Sequence, residues 1–152
     1  MAIQQDFKEL LELLNAHAVE YVIVGAHALA FHGVPRYTGD IDIYVRPDPE
    51  NARCITAALD EFGFCSVGLS QTDFIKPGKV IQLGRAPVRV DFVTSLSGVS
   101  WEEVFTHKAA GHYGDVPVAY LGREQLVMNK RACGRMKDLA DLEALGEGPE
   151  PR

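Results

Sequence analysis

The sequence predicts an α/β domain in which a small mixed β-sheet is flanked by helices. Three observations point there. Residues 3–14 carry an amphipathic helical stripe, Tyr21–Val24 is a continuous apolar run, and Asp40–Val45 alternates strictly between polar and apolar side chains. Helical and two-residue periods that follow one another along a chain build a sheet covered by helices.

The elements follow in order. Ile3, Phe7, Leu10, Leu11 and Leu14 share one helical face, with Gln, Asp, Lys and Glu between them, so the first helix lies on the sheet. Tyr21–Val24 lacks any polar alternation and reads as a central strand buried on both faces. Gly25 opens a short helix over 26–32, stopped by Gly33 and Pro35. After the Asp40 strand, Asp48 caps a helix with Pro49 in its first position. Ala52, Ile55, Leu59 and Phe62 line that helix and Gly63 ends it. Residues 64–78 carry no clear period, and Lys76-Pro77-Gly78-Lys79 is a turn. Strands are expected at 80–83 and 88–94. Ser100-Trp101-Glu102-Glu103 is a capping box that starts a short helix. Residues 111–121 alternate like a hairpin turning at Gly114-Asp115, and helices over 123–133 and 135–145 are separated by Gly134. We expect one domain over 1–145 and a flexible tail over 146–152.

With 152 residues and 47% hydrophobic content the chain can bury a real core. Its net charge of −6 argues against a broad basic surface for duplex DNA, though not against local contacts with one RNA end. Cys54, Cys65 and Cys133 are odd in number and lack C-x-x-C spacing, so they read as reduced thiols. No basic segment followed by an apolar one is evident near Met1, and the longest apolar run, 21–31, is too short to span a bilayer. We therefore expect a cytoplasmic protein without membrane contact.

The chemistry centres on Asp40 and Asp42. Side chains two apart on a strand share a face, with Cα atoms roughly 6–7 Å apart. Two such carboxylates repel and resist burial, and a divalent cation is the usual compensation. Asp91, inside the second β-rich run, is a third ligand if the two strands are neighbours. Gly25-Ala26, where a strand turns directly into a helix, offers backbone N–H groups to phosphate. Plainer readings stand beside these. Asp40 and Asp42 could form a solvated strand end, and Asp91 could be an edge charge paired with Arg89 or Arg85. Lys137 and Asp141 could be a helix-surface pair, and Arg36 a loop cation. His27 and His32 are five apart and are read as packing or hydrogen-bonding residues rather than metal ligands.

The ordered set Gly25-Ala26, Arg36-x-Thr38-x-Asp40-x-Asp42, then Asp91 resembles the nucleotidyltransferase superfamily. The segment from Val22 to Asp42, and Lys130, Arg135, Lys137-Asp138 and Asp141-Leu142 later, resemble its AbiEii-like and MNT-like bacterial branch. The resemblance implies a nucleotidyltransferase-like fold and transfer of a nucleoside monophosphate from an NTP, with Mg²⁺ or Mn²⁺ as cofactor. It assigns Asp40 and Asp42 to two metal ions, and Asp91 to the second metal and to deprotonation of the acceptor. Gly25 and Ala26 would meet the β- and γ-phosphates, supported by Arg36 and Thr38, with Lys130 and Lys137 reaching phosphate or acceptor. The acceptor it implies is a tRNA end or a partner protein's hydroxyl, in a toxin–antitoxin or phage-defence pair. Ala26 stands where many members have serine, which removes one hydroxyl contact to phosphate. The alternative is a module of this fold that binds nucleotide or a partner protein without turnover.

Overall fold

The computed structural model describes residues 3–36, 38–64, 70–85 and 88–151. Cys65 and the side chain of Arg85 lie outside the described residues. Six strands form one mixed sheet: β1 (Tyr21–Val24), β2 (Asp40–Val45), β3 (Val80–Arg85), β4 (Val88–Val93), β5 (Ala109–Tyr113) and β6 (Val116–Tyr120), in the order β3-β4-β2-β1-β6-β5. The helices are α1 (Gln5–Ala16), α2 (Gly25–Phe31), α3 (Pro49–Phe62), α4 (Trp101–Thr106), α5 (Arg123–Cys133) and α6 (Met136–Ala144).

The central position expected for Tyr21–Val24 is found. β1 lies between β2, which runs antiparallel to it, and β6, which runs parallel, and all four of its residues are buried. Side-chain parity then sorts the two faces. Ile41, Ile43 and Val45 of β2 join Val90 and Phe92 of β4 and pack against Phe7, Leu10, Leu11 and Leu14 of α1 and Ile55 and Leu59 of α3. Tyr44 points the other way, with Val22 and Val24, into a second cluster with Leu29, Trp101, Val104, Leu126 and Leu142. Asp40 and Asp42 share the parity of Tyr44, so they face the side built by α2, α5 and α6.

The local signals act as the residues suggest. Asp48 accepts from the Asn51 N–H at 2.8 Å and caps α3, whose end at Gly63 is left-handed (φ 107°). Ser100 and Glu103 form the expected capping box on α4. A 3₁₀ turn, Gln71–Phe74, lies among the described residues of the stretch that had no clear period. It is capped by Ser70 and Asp73 and buries Phe74 against Phe92. The short helix starts at Gly25 itself and β3 runs on to Arg85, because ladder pairing with β4 outweighs the glycine at position 84. Hydrogen bonds continue past the end of α6. The Glu147 N–H donates to Leu142 O, and Arg131 and Arg123 reach Gly148 O and the Glu147 carboxylate. Cys54 and Cys133 are free thiols. Among the described residues no helix is long and apolar enough to cross a membrane.

Candidate functional site

The site is set by strand register. β2 and β4 run parallel with Asp42 opposite Asp91 and Asp40 opposite Arg89, so all four side chains stand on one face. Asp91 is 8% exposed. Arg89 Nη2 donates to Asp40 Oδ2 at 2.6 Å, and its Nε lies 3.4 Å from Asp91 Oδ1. Burial pushes the Asp42 carboxyl up to about 6, helped by the Asp91 charge, by the hydrogen-bonding contact with Asp91 and by Asp40, and opposed by Lys137.

Gly25 joins this cluster by contact. Its φ is +68°, and an added Cβ would collide with the Asp42 carboxylate. Gly25→Ala is therefore expected to cost about 2 kcal/mol or more, from the left-handed backbone and the displaced carboxylate. Urea denaturation checks this, and an unchanged midpoint would mean that the turn relaxes without strain.

A cavity of about 490 Å³ opens over these residues. Gly25, Ala26, Arg36, Thr38, Asp40, Asp42, Lys130 and Lys137 line it, so eight of the nine candidates share one space. Asp91 is not on its wall. A separate cavity of about 510 Å³, walled mainly by Val19, Tyr21, Phe105, Pro117 and Val118, contains none of them.

The cations of the site are largely engaged. Arg36 pairs with Asp141, reaching from the segment before β2 to α6. Lys130 is 8% exposed, with its Nζ 3.3 Å from Asp138 Oδ1 and 3.0 Å from Asp141 Oδ2. Asp138 and Asp141 are 0% and 1% exposed. Burial by itself would raise the Asp138 carboxyl, but the Arg135 side chain, the Arg135 N–H and Lys130 together hold it below the usual range. Lys137 is exposed, with no ion pair among the described residues. The plainer reading of Lys137 and Asp141 as a helix-surface pair is not what forms, since Asp141 pairs with Arg36 and Lys130 instead. Thr38 Oγ1 accepts from the Asp40 N–H at 3.1 Å, which shapes the approach to β2. His27 packs edge-on against Phe7 and is pushed down by burial, and His32 Nε2 bonds Leu121 O at 2.7 Å.

Several cavity residues escaped the sequence reading: Ser95, Ser97, Asn129 and Cys133. Asn129 Nδ2 donates to Ser97 O at 2.9 Å and ties α5 to the loop after β4. The spacing of Asn129 and Cys133, four apart and flanking Lys130, was the available signal.

These residues fit hard divalent cations in chemistry, since Asp40, Asp42 and Asp91 supply oxygen donors only. Asp91 Oδ1 is buried without a hydrogen-bond partner, which also suits an oxygen-seeking ion. Among the described residues, however, no three acidic, cysteine or histidine side chains already converge around one point. Arg89 stands between two of these carboxylates, hydrogen-bonded to Asp40 and 3.4 Å from Asp91.

Over residues 3–148 the sequence matches the family described as a nucleotidyl transferase of unknown function (DUF2204). The chain belongs to this nucleotidyl transferase family. Its fold is similar to a crystal structure of a provisionally assigned nucleotidyltransferase from Thermotoga maritima. The TM-score is 0.62 at 17% identity, over 94% of each chain. That likeness carries the nucleotidyltransferase-like fold and not the activity. None of the curated proteins matches the chain.

Proposed function

We propose that this nucleotidyl transferase family member is a metal-dependent enzyme that moves a nucleoside monophosphate from an NTP to a hydroxyl on RNA or protein. The observation that carries the reading is the register of β2 and β4. It sets Asp42 against Asp91, with Asp40 on the same face, beside a cavity large enough for a nucleotide. Asp40, Asp42 and Asp91 would hold Mg²⁺ or Mn²⁺, which would polarise the α-phosphate and neutralise the departing pyrophosphate. The chain's own residues do the rest. Gly25 and Ala26, on the cavity wall, would offer backbone N–H groups to phosphate, and Lys137 brings positive charge to the same wall. Arg36 and Lys130 stand on the cavity wall paired with Asp141, where they would support the phosphate end of the nucleotide. Asp91, buried beside Asp42, is the group suited to accept the acceptor's proton.

The resemblance to AbiEii-like and MNT-like proteins supports a tRNA end or a partner protein as acceptor, in a toxin–antitoxin or phage-defence setting in the cytoplasm. A second reading, a nucleotide-binding module without turnover, is favoured by Ala26 and by the Arg89 ion pairs within the acidic cluster.

Labelled NTPs with Mg²⁺ or Mn²⁺, offered total RNA and cell lysate, test the activity. Label transfer is expected, and binding without transfer would select the module. An NTP with Mg²⁺ is also expected to bind at least about tenfold tighter than its nucleoside, worth 1.4 kcal/mol. Equal affinities in a calorimetric titration would remove the phosphate role of this cavity.

A further inference from the structure

Arg89 enters the acidic cluster from within the sheet, opposite Asp40 in the parallel register. Its two contacts are unequal. The bond from Nη2 to Asp40 Oδ2, at 2.6 Å, is a full charge-assisted hydrogen bond. The approach of Nε to Asp91 Oδ1, at 3.4 Å, is not, since both atoms are buried and neither has a hydrogen-bond partner. Each orphaned polar atom costs free energy until a ligand takes it up. Here the guanidinium is anchored on Asp40 and leaves an oxygen of Asp91 unspent. Its side chain is 38% exposed, so it has room to leave the cluster.

We propose that Arg89 is the resident counter-ion of this cluster and that a divalent cation displaces it from Asp40 and Asp91, freeing the guanidinium for the nucleotide's phosphates. The inference rests on the metal-dependent reading above and adds to it that metal uptake is a competition. Three carboxylates on one face of the sheet need positive charge near them. The guanidinium supplies one unit from inside the sheet, and a divalent ion supplies two. Both cannot keep the same oxygens, because the cations repel. Metal binding and the Arg89 contacts are therefore linked, and the metal's affinity is lowered by whatever release of Arg89 costs. The planar fork of the released side chain suits a phosphate better than a lysine would.

Mn²⁺ alone is the probe, with free ion counted by electron paramagnetic resonance for wild type, Arg89→Gln, Arg89→Lys and Asp42→Asn. Arg89→Gln is expected to bind Mn²⁺ about tenfold more tightly than wild type, and to bind a non-hydrolysable NTP analogue with Mn²⁺ more weakly. A purely structural arginine predicts the reverse for the ion, since its loss would loosen the ligands. Arg89→Lys keeps the charge but loses the approach to Asp91, so its Mn²⁺ affinity should rise by a smaller factor. It serves as the test if the glutamine variant does not fold. Equal or weaker Mn²⁺ binding in these variants, with wild-type binding that is lost in Asp42→Asn, overturns the role of Arg89 and leaves the metal-dependent reading standing. Absence of Mn²⁺ binding in every variant overturns both.

Discussion

Asp42→Asn is expected to remove the protein's thermal response to divalent metal and to lower nucleotidyl transfer by at least about 10²–10³-fold. It removes the carboxylate that faces Asp91 across the parallel strands and keeps the side-chain shape. Wild type with Mg²⁺ or Mn²⁺ at a hundredfold its dissociation constant should gain about 2.7 kcal/mol by mass action. For a chain of this size that is a rise of about 2–4 °C per kcal/mol. In EDTA the sign is the opposite of an ordinary active-site lesion. The folded protein holds Asp42 at about 6, above its usual value of 3.8. Its contribution to stability is therefore complete below pH 3.8 and lost as pH rises through about 6. At neutral pH the charged carboxylate costs on the order of 2 kcal/mol, discounted for its partial exposure. Asp42→Asn should then be neutral or stabilising in EDTA at pH 7, with a flatter stability profile between pH 4 and 6. Melts of both proteins, with and without metal, decide the matter. A mutant destabilised in EDTA, beside a wild type indifferent to metal, would make the aspartates structural and sink the enzyme reading.

Lys130→Met should be the most destabilising single change at the site, costing about 3–5 kcal/mol. Lys130 is 8% exposed and holds two buried carboxylates at once, and a methionine leaves both short of a partner. Arg135 and Arg36 still neutralise part of that charge, which places the loss toward the lower end of the range. Because the folded protein keeps Asp138 below its usual range, the pairing stabilises above the unfolded value and is lost as pH falls through the folded one. The variant should therefore recover part of its deficit in acid, where the stranded carboxylates take up protons. Urea midpoints at pH 7 and pH 4 measure both effects. A loss under 1 kcal/mol at pH 7 would mean that Lys130 is a spare cation, available to a phosphate.

The amino-acid sequence by itself determined the periodic elements and the face on which the acidic residues stand. The alternation of Asp40–Val45 obliges Asp40 and Asp42 to share a side opposite Ile41 and Ile43, and the lack of alternation in Tyr21–Val24 obliges β1 to be central. The shared face is a consequence of the two-residue repeat and needs no partner strand, whereas a run apolar on both faces calls for cover on both. Gly25 was legible as a turn, but its contact with Asp42 was not, because the two are brought together only by antiparallel pairing of β1 with β2. The tertiary structure alone decided which cations are engaged. Arg36, Lys130 and Lys137 are equivalent positive charges in the sequence. The return of α6 across α5 buries Asp138 and Asp141, and these bind Lys130 and Arg36 and leave Lys137 exposed. Pairing between residues more than a hundred positions apart, such as Arg36 and Asp141, has no local period to announce it. It is set by the electrostatic cost of burying two carboxylates, which recruits whichever cations the fold brings within reach.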